Sequence, residues 1–111
     1  MVSIRGTTIT ITKGDTLDAI VELYLEDGSP YQPQDGDEIR FALKQRYEDR
    51  EPLILKPIPN DTLRLRLESE ETKRLRAGWI PYVYDIQITF SDGSVDTFID
   101  RAKFIVTDEV E

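Results

Sequence analysis

Carboxylates are the reactive groups this chain has in quantity. Asp35-Gly36-Asp37-Glu38 sets acidic side chains almost side by side, as a calcium loop would. A calcium loop also needs the D-x-D-x-D-G alternation and a glutamate at its twelfth position, and that spacing is missing. The run therefore reads as an acidic turn. Asp96 and Asp100 stand four apart, on one face of a strand. A glycosidase pair needs two carboxylates across a cleft, one with a raised pKa, and a short sandwich suggests no cleft. The chain has no histidine and no cysteine. That removes the commonest general base at neutral pH, the Ser-His-Asp arrangement, thiol nucleophiles, the usual zinc ligands and disulfides. No catalytic residue, metal site or cofactor is expected, and the chain reads as a non-enzyme.

Binding chemistry is the remaining possibility. Lys73, Arg74 and Arg76 form a small basic cluster, but the net charge of −8 opposes nucleic-acid phosphates. The cluster reads as a solvated helix face near a helix C-terminus. Trp79, beside Pro81 in a loop, is the first candidate partner-binding residue, with Tyr31 and Tyr47 in turn-rich segments. Tryptophan and tyrosine are favoured interface anchors. The competing role for Trp79 is a lid on the core. No apolar run approaches the length of a membrane span, so no membrane insertion is expected. Met1-Val2-Ser3-Ile4-Arg5 opens no signal peptide, so no secretory leader is expected either.

The elements that position these residues are strands. At 111 residues, the chain reads as one domain, residues 1–111, with 39% apolar residues to build a core. The longest clean alternation puts Tyr82, Tyr84, Ile86, Ile88 and Phe90 on one face and Val83, Asp85, Gln87 and Thr89 on the other. Such an apolar face needs a second sheet to cover it. Residues 4–12 read as a first strand with Gly6 as a bulge, and residues 16–26 as a second with Leu17, Ala19, Val21, Leu23 and Leu25 inward. The second stretch also fits a helix through Leu17, Ile20, Val21 and Tyr24, but the alternation is cleaner. DGSPYQPQDGD, residues 27–37, is dense in turn formers. Residues 38–46 form a strand with Ile39, Phe41 and Leu43 inward. A proline at each end of Pro52–Pro57 suits an edge strand, with Leu53 and Leu55 sharing a face. Thr62–Glu68 puts Leu63, Leu65 and Leu67 inward.

A helical turn is expected over Glu71–Ala77, capped by Ser69 and ended by Gly78. Thr72 stands where a capping box prefers Glu or Gln, so the box is incomplete. Ser91-Asp92-Gly93-Ser94 is a hairpin turn. Residues 95–107 form a last strand or a broken pair, bent near Asp100-Arg101-Ala102, and the tail is acidic. Turn signals every 8 to 12 residues indicate an all-β fold, an immunoglobulin-like antiparallel β-sandwich of seven or eight strands with one short helical turn.

Outward charges test that topology. In such a sandwich the second strand neighbours the Leu63 strand, and the Ile39 strand neighbours the Tyr82 strand. The first pair would set Asp18, Glu22 and Glu26 against Arg64 and Arg66. The second would set Arg40 and Lys44 against Asp85. Tyr82 also stands where these folds place a tyrosine whose hydroxyl bonds back to the backbone, although it reads equally well as a plain core aromatic.

The order of features over residues 9–110 resembles a family of small phage tail proteins, the N-terminal domain of the upper baseplate protein of lactococcal-type siphophages. The matching pieces are Lys13-Gly14-Asp15-Thr16, Tyr31-Gln32-Pro33 with Gly36-Asp37 and the Ile39–Lys44 strand, and Leu75–Gly78 leading to Tyr84-Asp85-Ile86. Asp92-Gly93, Thr97 and Ala102-Lys103-Phe104-Ile105-Val106 complete the series. Trp79-Ile80-Pro81 departs from the family's shorter Gly-aromatic approach. The resemblance implies a non-catalytic structural or adaptor component of a phage or prophage tail baseplate. It would be made in the bacterial cytoplasm, act in the virion tail, and dock on other tail proteins, with self-association left open. The alternative is a carbohydrate-binding or host-surface adhesin module using Trp79, Tyr31 and Tyr47.

Overall fold

The computed structural model describes residues 2–4, 8–25, 27–78 and 80–108. Eight strands and one helix are found among them: β1 (Val2–Ile4), β2 (Ile9–Thr12), β3 (Leu17–Val21), β4 (Glu38–Lys44), β5 (Ile54–Ile58), β6 (Arg64–Leu67), α1 (Ser69–Lys73), β7 (Tyr82–Thr89) and β8 (Val95–Thr107). They form two sheets, β1-β3-β6 and β2-β8-β7-β4-β5. This is the expected all-β sandwich. The β3–β6, β4–β5, β4–β7 and β7–β8 pairings are antiparallel, whereas the N-terminal strands pair parallel, β1 with β3 and β2 with β8.

β7 alternates as the sequence demands. Tyr82, Tyr84, Ile86 and Ile88 are buried and the residues between them half-buried. Hydrogen-bonded strands flank it on both sides, β4 and β8. Its inner face meets Phe41 and Phe104, with ring centroids of Phe41 and Tyr84 5.4 Å apart. Leu17, Ala19 and Val21 of β3 and Leu65 and Leu67 of β6 close the core from the other sheet. Each fully buried aliphatic side chain of this kind stabilises the fold by about 1.5–3 kcal/mol relative to exposure.

Both expected neighbour pairs form, and on β3–β6 the opposite charges meet as expected. On β3–β6, Asp18 stands opposite Arg66. Its carboxylate accepts from Arg64 Nε at 2.6 Å and from Arg66 Nη1 at 3.3 Å. On β4–β7 the strands are neighbours, but Asp85 faces Ala42, and Arg40 faces Gln87, whose Oε1 it bonds at 2.9 Å.

Several boundaries differ from the sequence reading. The expected first strand over residues 4–12 is not one strand: Ile4 ends β1 in one sheet and Ile9–Thr12 form β2 in the other. Gly6 lies outside the described residues. β3 stops at Val21; beyond it the chain turns back on itself, with the Tyr31 N–H on the Leu23 carbonyl and the Leu25 N–H on the Ser29 carbonyl, both at 2.8 Å, and an Asx turn from Ser29 N–H to Asp27 Oδ1 at 2.9 Å. Leu23 stays buried, but Leu25 is exposed rather than inward. The last strand is continuous and irregular. Ala102 pairs with Tyr84 and Ile99 with Ile86, so Asp100-Arg101 bulges out, with Arg101 at φ +54°.

The helix is shorter and set differently from the expectation. It runs Ser69–Lys73, its N-cap is Glu68, and the Glu71 carboxylate accepts the Glu68 N–H at 3.0 Å. Ser69 does not cap. Its hydroxyl donates to the Gly14 carbonyl at 2.6 Å, and the buried Thr72 hydroxyl donates to the Asp15 carbonyl at 2.7 Å. These two bonds dock α1 on the β2–β3 turn. Gly78 does not end the helix, since its N–H reaches the Val106 carbonyl at 3.2 Å and Arg74 is the C-cap.

Tyr82 makes the backbone bond that such sandwiches use at this corner. The Arg76 N–H donates to its hydroxyl at 2.8 Å, six residues back. Tyr82→Phe keeps the ring and strands a backbone donor. The expected loss is about 1–3 kcal/mol in urea unfolding. A loss below about 0.5 kcal/mol would show that water satisfies the Arg76 N–H instead.

Candidate docking surface

The acidic turn is a clamp. Gly36 adopts φ +93°, and a Cβ there would stand 2.8 Å from Ser91 Cβ, so β3–β4 and β7–β8 connections meet where glycine is required. Asp37 follows and is buried. Its Oδ2 accepts the Gln34 N–H at 2.9 Å and the Tyr31 hydroxyl at 2.6 Å. The Gln34 N–H first, then the Tyr31 hydroxyl, hold this carboxyl below the usual carboxylate range, and the Ser91 backbone adds to them. The Tyr31 phenol is pushed up to about 12, chiefly by its bond to Asp37. Asn60, in the β5–β6 turn, donates its amide to the Asp37 carbonyl at 2.6 Å and the Gln34 carbonyl at 3.2 Å. Three connections are thus pinned at one end of the sandwich. Among the described residues no group of three His, Cys, Asp or Glu is placed to hold a metal ion.

Tyr31 and Tyr47 do not converge. Tyr31 is half-buried, edge-on to Phe90 at 5.9 Å and tilted over Phe98 at 5.9 Å, so its ring is part of the packing. Tyr47 lies at the other end of β4, in the β4–β5 turn, and is 48% exposed. The Arg101 guanidinium sits 4.0 Å over its ring and donates to its hydroxyl at 3.0 Å. Trp79 lies outside the described residues. Of the basic cluster, Lys73, Arg74 and Arg76 are exposed. Asp96 accepts its neighbour Thr97's N–H at 2.9 Å, and the Asp100 side chain lies outside the described set.

Aliphatic residues that the sequence reading did not single out make up the more open surface. Leu53 and Leu55 share a face as expected, but it is the outer one: each is 54% exposed, while Ile54 and Ile58 turn inward. Ile80 is 82% exposed. Leu53 and Leu55 border a groove of about 310 Å³ against Glu71, Arg74 and Leu75 of the α1 region. Ile80 borders a second of about 310 Å³ with Gln45, Arg76 and Tyr82. Lys56 fixes β5 to α1 through an ion pair with Glu71 at 2.7 Å. The signal was present in Leu53-Ile54-Leu55. An edge strand has one buried face and cannot hide aliphatics at consecutive positions.

No family model matches the chain, and no curated protein matches it.

The clamp titrates at both ends of the pH scale. Asp37 is depressed in the folded state, so its stabilisation is present above the unfolded carboxyl value near ~3.9 and fades as pH falls through the folded one. Tyr31 is raised, so its contribution is whole below ~10 and fades as pH climbs towards about 12. Tyr31→Phe should lower Tm at neutral pH and flatten the alkaline fall, and Asp37→Asn should flatten the acid fall. Melting curves across pH that superimpose in slope on the wild type would refute the clamp.

Proposed function

We propose that this sandwich is a non-catalytic structural or adaptor module of a phage or prophage tail baseplate, docking on other tail proteins in the virion. The observation that carries the reading is the exposed aliphatic set Leu53, Leu55 and Ile80 bordering two shallow grooves. Apolar side chains at this exposure beside concave surface suit protein contact. The resemblance across residues 9–110 supplies the setting in which such a contact would operate.

Five of the carboxylates serve the scaffold. Among the described residues, Asp18, Asp27, Asp37, Glu71 and Asp92 are held below their usual range. Asp18 owes this first to the Arg64 guanidinium and Asp27 to the Ser29 hydroxyl. A general acid at neutral pH requires a shift in the opposite direction. These carboxylates are occupied in holding turns and strands together.

Gene order gives the first test: tail-length, tail-fibre or holin genes alongside would support the reading, and a metabolic operon would sink it. Assembly gives the second. Ile80→Asp and Leu55→Asp should leave Tm within about 2 °C of the wild type, since exposed sites contribute little to stability. Both should deplete the protein from purified tails. Normal incorporation of both variants would overturn the docking edge.

A further inference from the structure

We propose that the outer face of the five-stranded sheet binds the acidic loop end of a second copy of this chain, so that copies associate end to face. The inference rests on charge placement and does not depend on the tail assignment.

Alternation decides what the outer face shows. On β4, Ile39, Phe41 and Leu43 enter the core, which leaves Arg40, Ala42 and Lys44 outside. The register then sets rows across the strands. Lys44, Val83 and Lys103 lie in one row, Leu55, Ala42 and Asp85 in the next, and Arg40 beside Gln87 beyond that. Arg50 joins Arg40, Lys44 and Leu55 around a shallow groove of about 230 Å³. A chain of net charge −8 thus sets Lys44, Lys103 and Arg50 near Asp85 with a half-exposed leucine at the rim, while Arg40 stands nearer the acidic end beside Glu38.

The complementary surface is on the same chain. Residues 22–37, 59–62 and 90–97 contain no lysine or arginine. They cover the β3–β4, β5–β6 and β7–β8 connections and the start of β8, which Asp37, Asn60 and Gly36 bring together at one end. Asp35, Asp61, Asp92 and Asp96 are exposed there. The clamp makes that end a fixed shape, so little ordering entropy opposes docking. Lys44 is separated from this end by the length of β4, about 20 Å at ~3.4 Å per residue. That is beyond the ~8–10 Å over which exposed charges pair in physiological salt. Arg40 shares a groove with Asp35, Glu38 and Asp61 of its own chain, but the Lys44–Lys103 row is neutralised poorly by that distant end and well by a neighbour's. Face and end are different patches, so the contact is heterologous and propagates into a ring or a filament.

Sedimentation equilibrium on the full chain, up to about 0.2 mM, tests this by charge exchange. Salt screens the −8 repulsion between copies as well as the pairing, so exchange is the deciding measurement. The wild type should gain mass with concentration. Arg40→Glu/Lys44→Glu/Lys103→Glu and Asp35→Lys/Asp61→Lys/Asp96→Lys should each associate at least tenfold more weakly alone. Their equimolar mixture should recover wild-type association, because each reversed patch then meets its complement. Lys73→Glu/Arg74→Glu/Arg76→Glu carries the same charge change as the face variant and should associate as the wild type. Circular dichroism checks folding, and the single pair Lys44→Glu with Asp61→Lys, at opposite ends of β4, repeats the exchange if a triple variant unfolds. A monomeric wild type, an unaffected variant, an unrecovered mixture or a dissociated control each overturns the proposal. So does binding only to a foreign acidic protein.

Discussion

Burying the even-numbered face of β7 is the constraint that the rest of the sandwich satisfies. Tyr82, Tyr84, Ile86 and Ile88 can leave water only if a second sheet lies over them, and Leu65, Leu67, Ala19 and Val21 supply it. β7 is hydrogen-bonded on both sides, so its position also sets β4 and β8. The Arg76–Tyr82 bond fixes how the chain enters that strand after α1. The helix in turn is held by two hydroxyl bonds to the β2–β3 turn, which ties the entry of β7 to the entry of β3.

With the core assigned this way, the polar chemistry of the chain is spent on joints. Asp37, Asp18 and Glu71 each link segments apart in sequence: three connections, through the Asp37 carbonyl to Asn60 and its carboxylate to the Ser91 backbone, two strands of one sheet, and an edge strand with a helix. The same arrangement leaves two kinds of surface open. One is aliphatic, around Leu53, Leu55 and Ile80, and the other is a separation of charge between a basic sheet face and an acidic loop end. Both suit recognition between proteins, and neither depends on a deep pocket.

Much of the fold was legible. The alternation of β4, β6 and β7, the turn at Ser91–Ser94 and the bend at Asp100–Arg101 all stand where the residue pattern places them. Opposite charges correctly paired β3 with β6, down to Asp18 and Arg66. The failures share a cause. Ser69 is a good N-cap in isolation, yet its hydroxyl finds the Gly14 carbonyl, and Glu68 with Glu71 closes the helix start one residue earlier. Tyr31 looks like a surface aromatic in a turn-rich run, yet Phe90, Phe98 and Asp37 take both its ring and its hydroxyl. In each case a partner distant along the chain outcompeted the local choice.

The sequence by itself determined the all-β class, most turn positions, the absence of histidine and cysteine chemistry, and the residues on each face of the central strands. Those properties follow from period-two alternation and turn chemistry, which act over a few neighbouring residues. The tertiary structure alone decided that Val2–Ile4 and Ile9–Thr12 lie in different sheets and that Ile54 and Ile58, not Leu53 and Leu55, face inward. It alone decided that Lys44, Val83 and Lys103 share a row. Pattern fixes which residues share a face of a strand, but which face meets the core, and which charges become neighbours, depend on the strand packed alongside.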